Sequence, residues 1–130
     1  RDLKSLNILL DKNFQVKIAD FGWARIRQDH MTKQRGTFQW MAPEVIRRNT
    51  YSEKADVFSF GIILWELMVQ EPPYRNIDRI QVAKKVATDP KYRPKIPSDV
   101  PSKIKELMPL CWDHDPDQRL SFDQIIEYLE

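Results

Sequence analysis

Apolar and polar residues alternate near the start of the chain in a pattern that predicts a β-hairpin. A short apolar run at 8–10 is followed by three turn-forming residues, Asp11-Lys12-Asn13, and then by Phe14, Val16 and Ile18 in alternation with polar residues. Such alternation is typical of a strand, and turn formers between two short strands favour a tight turn. We therefore expect a hairpin with its turn centred near Lys12 or Asn13.

The open end of this hairpin gathers oxygen donors. Asn7 lies about as far before the turn as Asp20 lies after it, so folding should bring the two together, with Asp2 and Lys4 just outside. Carboxylate and amide oxygens suit Mg²⁺, which takes one or two ligands from the protein and the rest from water and phosphate. A loop or helix cap explains each of these residues taken singly, whereas the whole set predicts a metal site.

The longest apolar stretch predicts a buried helix. Apolar residues cover nearly all sides of a helix drawn from about Lys54 to Val69, which is typical of a helix without a solvent face. Thr50 and Glu53 form a capping-box pattern before it, and two prolines at 72–73 should end it.

Three shorter helices are predicted after the buried one. Helical spacing of apolar residues indicates an amphipathic helix over about 77–88 and another over 104–111. A capping-box pattern at 121–124 opens a last helix with Ile125, Ile126 and Leu129 inward. The predicted loops are 23–39, 72–76, 89–101 and 113–118. The fold class is therefore mainly α, with a short β-hairpin and a buried central helix.

Composition narrows the classes of function. The chain has 130 residues and a formal net charge of +2, which gives no indication of a nucleic-acid-binding protein. Its one cysteine, Cys111, excludes an intrachain disulfide and is expected as a buried thiol, consistent with a reducing, cytoplasmic compartment. No signal peptide is recognisable, and the apolar stretch 57–69 is shorter than the roughly 20 residues of a membrane span.

The first part of the chain resembles two motifs of eukaryotic protein kinases. RDLKSLN, followed by DFG, is similar to the catalytic loop HRDLKxxN without its histidine and to the metal-binding motif of that family. The resemblance implies that Asp2 accepts the proton of the substrate hydroxyl and that Lys4 steadies the transferring phosphoryl group. It also implies that Asn7 and Asp20 hold two Mg²⁺ ions beside ATP. Asp-Leu-Lys is the form of serine/threonine and tyrosine-kinase-like kinases, whereas conventional tyrosine kinases usually carry Ala-Ala-Arg.

The next segment resembles the activation segment of the same family. GTFQWMAPE at 36–44 is close to the GTxxWMAPE form of the tyrosine-kinase-like group. The resemblance implies that Thr37 faces the catalytic aspartate and the incoming substrate, where an ordinary turn hydroxyl is the simpler alternative. Thr32 is then the candidate regulatory phosphosite, with Arg1 and Arg25 to receive the phosphate, and the alternative is a solvated basic loop.

The central helix carries a further family motif. DVFSFG is similar to DVWSFG, in which the aspartate, here Asp56, binds the catalytic-loop backbone; a favourable place near the helix dipole is the simpler role. The same comparison places Leu9 beneath the adenine ring of ATP, stacked on Ile63 and Leu67, and these three residues are also expected to pack in the core.

The end of the chain resembles the closing motif of kinases. CWDHDPDQRL is similar to CWxxDPxxRP, with Leu120 in place of the usual proline, and the resemblance pairs Arg119 with Glu44 of the APE triplet. The residues with implied structural roles are Phe21, Gly22, Glu44, Asp56 and Arg119.

The resemblance covers residues 1–130 but only the C-terminal lobe of the family. The three glycines lie far apart, and neither G-x-G-x-x-G nor G-x-x-x-x-G-K occurs, which we interpret as a partial domain without its N-terminal lobe. The implied function is transfer of the ATP γ-phosphate to Ser or Thr of protein substrates. Two alternatives remain: a non-catalytic module that binds proteins through the activation segment and the helix near Ile80, and tyrosine or dual specificity. The isolated chain is expected to be inactive and to expose apolar surface where the other lobe would pack.

Overall fold

Five α-helices and one β-hairpin make up the described parts of the chain. The computed structural model describes residues 2–19, 38–48 and 50–130. In chain order the elements are β1 (Ile8–Leu10), β2 (Val16–Ile18), α1 (Pro43–Arg48), α2 (Glu53–Val69), α3 (Arg79–Thr88), α4 (Ser102–Cys111) and α5 (Phe122–Leu129), with 3₁₀ turns at Ser5–Asn7, Phe38–Trp40 and Pro116–Gln118. This architecture confirms the predicted fold class, which is mainly α with a short β-hairpin and a buried central helix, and it is consistent with the resemblance to a kinase C-terminal lobe.

The hairpin forms as the alternation predicts. β1 and β2 are antiparallel, with Ile8 opposite Ile18 and Leu10 opposite Val16, so the turn centres on Asn13. Asp11 Oδ1 accepts hydrogen bonds from the backbone nitrogens of Asn13 at 2.8 Å and of residue 15 at 2.9 Å, which fixes the turn. Phe14 lies in this turn with a φ of 61°, and its predicted place in the second strand is wrong.

The central helix α2 is buried as predicted but starts differently. Its N-cap is Ser52, whose side chain accepts from the backbone nitrogen of Lys54 at 3.2 Å. The capping box predicted at Thr50 and Glu53 is therefore wrong, because Ser52 holds the extended conformation directly before the first helical residue. The helix ends at Val69, because its C-cap Gln70 takes a left-handed conformation before the prolines are reached.

The shorter helices lie within two residues of their predicted starts. Asp78 caps α3 through the backbone nitrogen of Ile80, and Ser121 forms the predicted capping box with Gln124 at the start of α5. Of the three residues predicted inward on α5, only Ile125 is buried. The inward prediction is wrong for Ile126 and Leu129, which are 55% and 43% exposed, because no described element covers that part of the helix.

The core is centred on the packing of α2 against α4. Leu107, Met108 and Cys111 of α4 are fully buried, and a Cβ added to Gly61 of α2 would lie 2.9 Å from the Cβ of Cys111. Glycine at this position therefore allows the two helices to approach closely. Burial raises the pKa of the Cys111 thiol to about 12, as fits a packing residue. No helix in the described ranges is long and apolar enough to cross a membrane.

The apolar face at one edge of this core is open. Leu9 of the hairpin and Leu67 of α2 are 52% and 57% exposed, whereas Ile63 is buried. The expectation that all three pack in the core is therefore wrong for Leu9 and Leu67. The exposure of Leu9 and Leu67 does not test the contact with an adenine ring, which stays a prediction.

Candidate active site

The loop from Asp2 to Asn7 is closed on itself by hydrogen bonds. Asn7 is buried, its Nδ2 donates to the backbone oxygen of Asp2 at 2.7 Å, and its backbone nitrogen donates to the backbone oxygen of Lys4 at 3.0 Å. The hairpin holds the other side, because the backbone nitrogen of Ala19 donates to the backbone oxygen of Asn7 at 2.7 Å. Because Nδ2 donates to Asp2, Oδ1 is the atom of the Asn7 side chain that would bind a cation.

The two candidate catalytic side chains lie side by side at the edge of this loop. Lys4 Nζ is 3.6 Å from Asp2 Oδ2, and the side chains are 14% and 39% exposed respectively. Lys4 is therefore largely covered, while the carboxylate of Asp2 can be reached from solvent. This pair offers a base and a fixed positive charge to a hydroxyl that approaches the loop.

Glu66 of α2 binds the loop 2–7 through Ser5, and the sequence analysis did not identify Glu66 as a site residue. Its Oε2 accepts from Ser5 Oγ at 2.9 Å, and its Oε1 accepts from Trp40 Nε1 at 2.6 Å. Burial raises the pKa of the Glu66 carboxyl, and the hydrogen bonds from Trp40 and Ser5 oppose this rise. The available signal was the single carboxylate in the apolar stretch 57–69.

Ser59, a second polar residue of α2, binds the segment 38–41, which Glu66 also contacts through Trp40. Ser59 is buried, and its Oγ donates to the backbone oxygen of Trp40 at 2.6 Å. Asp56, one turn earlier, accepts a hydrogen bond from Tyr51 and lines a small cavity that Asp2 also lines. The contact of Asp56 with the catalytic-loop backbone stays a prediction.

Glu44 and Arg119, which the sequence motifs pair, form a bidentate ion pair. Arg119 donates from its two terminal nitrogens to the two carboxylate oxygens at 2.8 and 2.9 Å. The arginine side chain is 0% exposed, and its Cζ lies 5.1 Å from the centroid of the Phe58 ring. This pair anchors α1, and with it the segment 38–42, to the loop between α4 and α5.

Several predicted site residues lie outside the described residues. They are Arg1, Asp20, Phe21, Gly22, Arg25, Thr32 and Thr37. In the described ranges no group of three or more His, Cys, Asp or Glu side chains could hold a metal ion. Of the two implied metal ligands the structure describes Asn7, and its amide oxygen suits Mg²⁺, which needs only one or two protein ligands when phosphate and water supply the rest.

Comparisons with known proteins agree on one family. A family model described as protein tyrosine and serine/threonine kinase matches residues 1–129. The chain is 47% identical over 132 residues to the serine/threonine-protein kinase STY46 of Arabidopsis thaliana, which covers 100% of the chain and 23% of that protein. It is 45% identical over 130 residues to the dual specificity protein kinase shkD of Dictyostelium discoideum, which covers 96% of the chain and 17% of that protein. The chain therefore spans less than a quarter of these relatives.

Proposed function

The chain belongs to the protein tyrosine and serine/threonine kinase family, and from this we propose that the protein carrying it transfers the γ-phosphate of ATP to Ser or Thr hydroxyls of protein substrates. The observation that carries the proposal is the loop at 2–7, where the carboxylate of Asp2 is exposed beside the covered ammonium of Lys4. The relatives named as serine/threonine kinases support this specificity, and the relative named as a dual specificity kinase keeps tyrosine as the alternative.

In the proposed reaction each loop residue has one task. The substrate hydroxyl oxygen attacks the γ-phosphorus, the bond to the β–γ bridging oxygen breaks, and ADP leaves. Asp2 accepts the hydroxyl proton, and Lys4 donates to the transferring phosphoryl group, where charge is spread over its oxygens. Mg²⁺, when bound, neutralises phosphate charge, and Asn7 and Asp20 would hold it.

Other parts of the proposal concern partners and regulation. An N-terminal lobe of the natural protein would cover the ATP and supply further phosphate contacts, and the adenine ring would lie between that lobe and the exposed surface that includes Leu9 and Leu67. We assign Thr37 to substrate docking and Thr32 to regulation by phosphorylation, and we place the reaction in the cytoplasm, where ATP is supplied.

Substitution of the candidate base tests the proposal. In the natural polypeptide, Asp2→Asn should lower kcat by about 10²–10⁴-fold, the contribution of a positioned general base, while affinity for ATP is kept. Asp99→Asn, at an exposed loop position, is the matched control and should keep full activity. Full turnover by the Asp2→Asn protein would contradict the assignment, and a wild-type protein that binds partners without transferring phosphate would favour the binding-module alternative.

A further inference from the structure

One carboxylate joins two segments of the candidate site that are far apart in the sequence. Glu66 accepts from Ser5, which follows the candidate catalytic Lys4, and from Trp40, which follows the candidate docking residue Thr37 by three positions. Each carboxylate oxygen serves one segment, at 2.9 and 2.6 Å respectively. The position of either segment is therefore linked to the other through a single side chain.

The helix that carries Glu66 is a rigid base for this link. Ser59 lies seven residues earlier in the sequence, which is close to two helical turns, so the two side chains share one face of α2. Ser59 Oγ donates to the backbone oxygen of Trp40, and Glu66 receives its indole N–H. Trp40, only 8% exposed, is thus held at its backbone and at the far end of its ring by the same helix face.

If Glu66 served only to pack against its neighbours, a carboxylate would be less favourable than an aliphatic side chain, because its burial costs desolvation free energy. Burial disfavours its charged form, and the two side chains that donate to it within the described residues, Trp40 and Ser5, are both neutral. The neighbouring residues of α2 are apolar, and an aliphatic side chain would cover Trp40 and Ser5 without that cost. What an aliphatic side chain lacks is the ability to bind both donors at once.

We propose that Glu66 is a positioning residue that couples the loop 2–7 to the segment 38–41, so that the base and the substrate-docking segment reach their working positions together. The catalytic consequence rests on the proposed function. The coupling itself rests on the two hydrogen bonds, and it can be measured without any activity.

The indole N–H of Trp40 reports the coupling directly. In the natural polypeptide labelled with ¹⁵N-tryptophan, Ser5→Ala should move the Trp40 indole signal, because the carboxylate then serves a single donor. The same substitution made in a Glu66→Leu protein should leave that signal unmoved. Trp65, whose indole donates to the backbone oxygen of Lys95 at 2.8 Å, is the internal reference and should not respond to Ser5→Ala. A Trp40 signal that ignores Ser5→Ala in the presence of Glu66 would overturn the proposal.

Kinetics test the catalytic consequence. Ser5→Ala should lower kcat, Trp40→Phe should raise the KM for the protein substrate, and Glu66→Leu should do both, whereas a general loss of folded protein would change the apparent kcat alone. The combined effect of Ser5→Ala and Trp40→Phe should differ from the product of the single effects by at least about threefold, as for residues in one hydrogen-bonded network. Effects that multiply independently would refute the coupling.

A conservative variant keeps the test valid if Glu66→Leu folds poorly. In Glu66→Gln the amide oxygen accepts from Trp40 and the amide nitrogen donates to Ser5 Oγ, since a hydroxyl also accepts. This variant should restore most of the kcat that Glu66→Leu loses and reverse most of the rise in KM, and no such recovery would count against a bridging role. Glu71→Gln, exposed just beyond α2, is the matched control. A protein with the indole coupling but without phosphate transfer would contradict the proposed function alone.

Discussion

Removal of the Glu44 carboxylate should destabilise the fold strongly, because it leaves a buried guanidinium without its counter-charge. The Arg119 side chain is 0% exposed, and Glu44 takes one hydrogen bond from each of its terminal nitrogens. The other bonds of Arg119 go to backbone oxygens of Lys54, Asp113 and His114, which carry no net charge. The Glu44→Ala protein therefore keeps the charge in place and loses its only described carboxylate partner.

The expected magnitude follows from this burial. Breaking a buried ion pair by removing one partner costs about 3–5 kcal/mol, whereas an exposed pair contributes about 0–1 kcal/mol. Because Glu44 itself is 12% exposed and water can enter from its side, we expect the lower end, about 3 kcal/mol, for Glu44→Ala. Glu44→Gln keeps one acceptor and should cost about 1.5–3 kcal/mol, the range for one hydrogen bond to a charged group.

Native-state hydrogen exchange at the amides of α2 is the assay, because it reports the stability of this lobe inside a longer polypeptide. Glu71→Ala, at an exposed position, is the control and should stay within about 0.5 kcal/mol of the wild type. The loss in Glu44→Ala should persist at 1 M NaCl, since buried pairs are little screened. A loss below about 1 kcal/mol, or one that salt abolishes, would refute the reasoning.

Three further predictions concern packing, capping and pH. Gly61→Ala should destabilise by about 1–3 kcal/mol in urea unfolding, because its Cβ would lie 2.9 Å from the Cβ of Cys111; an unchanged midpoint would show that α2 and α4 can separate freely. Ser121→Ala removes the acceptor of the Gln124 backbone nitrogen and should cost about 1 kcal/mol, while Ser121→Thr should be nearly neutral in the same assay. Burial lowers the pKa of His114 below its usual 6.5, so the folded state binds fewer protons than the unfolded state and stability should fall as pH drops from 7 to 5. His114→Gln should flatten this dependence in unfolding measured across that range, and an equally steep curve would disprove the assignment.

The sequence predicted those elements whose local pattern and tertiary environment agree. The hairpin register follows from alternation and the Asp11 turn, and α2 follows from its apolar residues on all sides. The helix α1 was not predicted because its six residues are too few for a period, although Pro43 at the first position and Arg47 and Arg48 in the last turn are start and stop signals.

The errors lie where tertiary structure decides between similar local signals. Thr50 and Ser52 are both capping residues, and a pattern three residues long cannot show which of them takes the extended conformation. Ile126 and Leu129 continue the apolar face of α5, but no described element covers that part of the helix.

The candidate site could be predicted only in part. The loop residues follow from the family motif, whereas the contacts of Glu66 with Ser5 and Trp40 depend on how α2 passes beneath two distant segments. A sequence shows Glu66 as an interruption of an apolar helix, and only the fold shows what it binds.

Identification of the phosphorylated amino acid tests the central claim most directly. The natural polypeptide is incubated with Mg²⁺, γ-³²P-ATP and a mixed protein substrate, and the labelled product is hydrolysed and separated into its phosphoamino acids. The account predicts phosphoserine and phosphothreonine, with label lost in the Asp2→Asn protein. Label found mainly as phosphotyrosine would contradict the specificity, and no label in any substrate would contradict the kinase function itself.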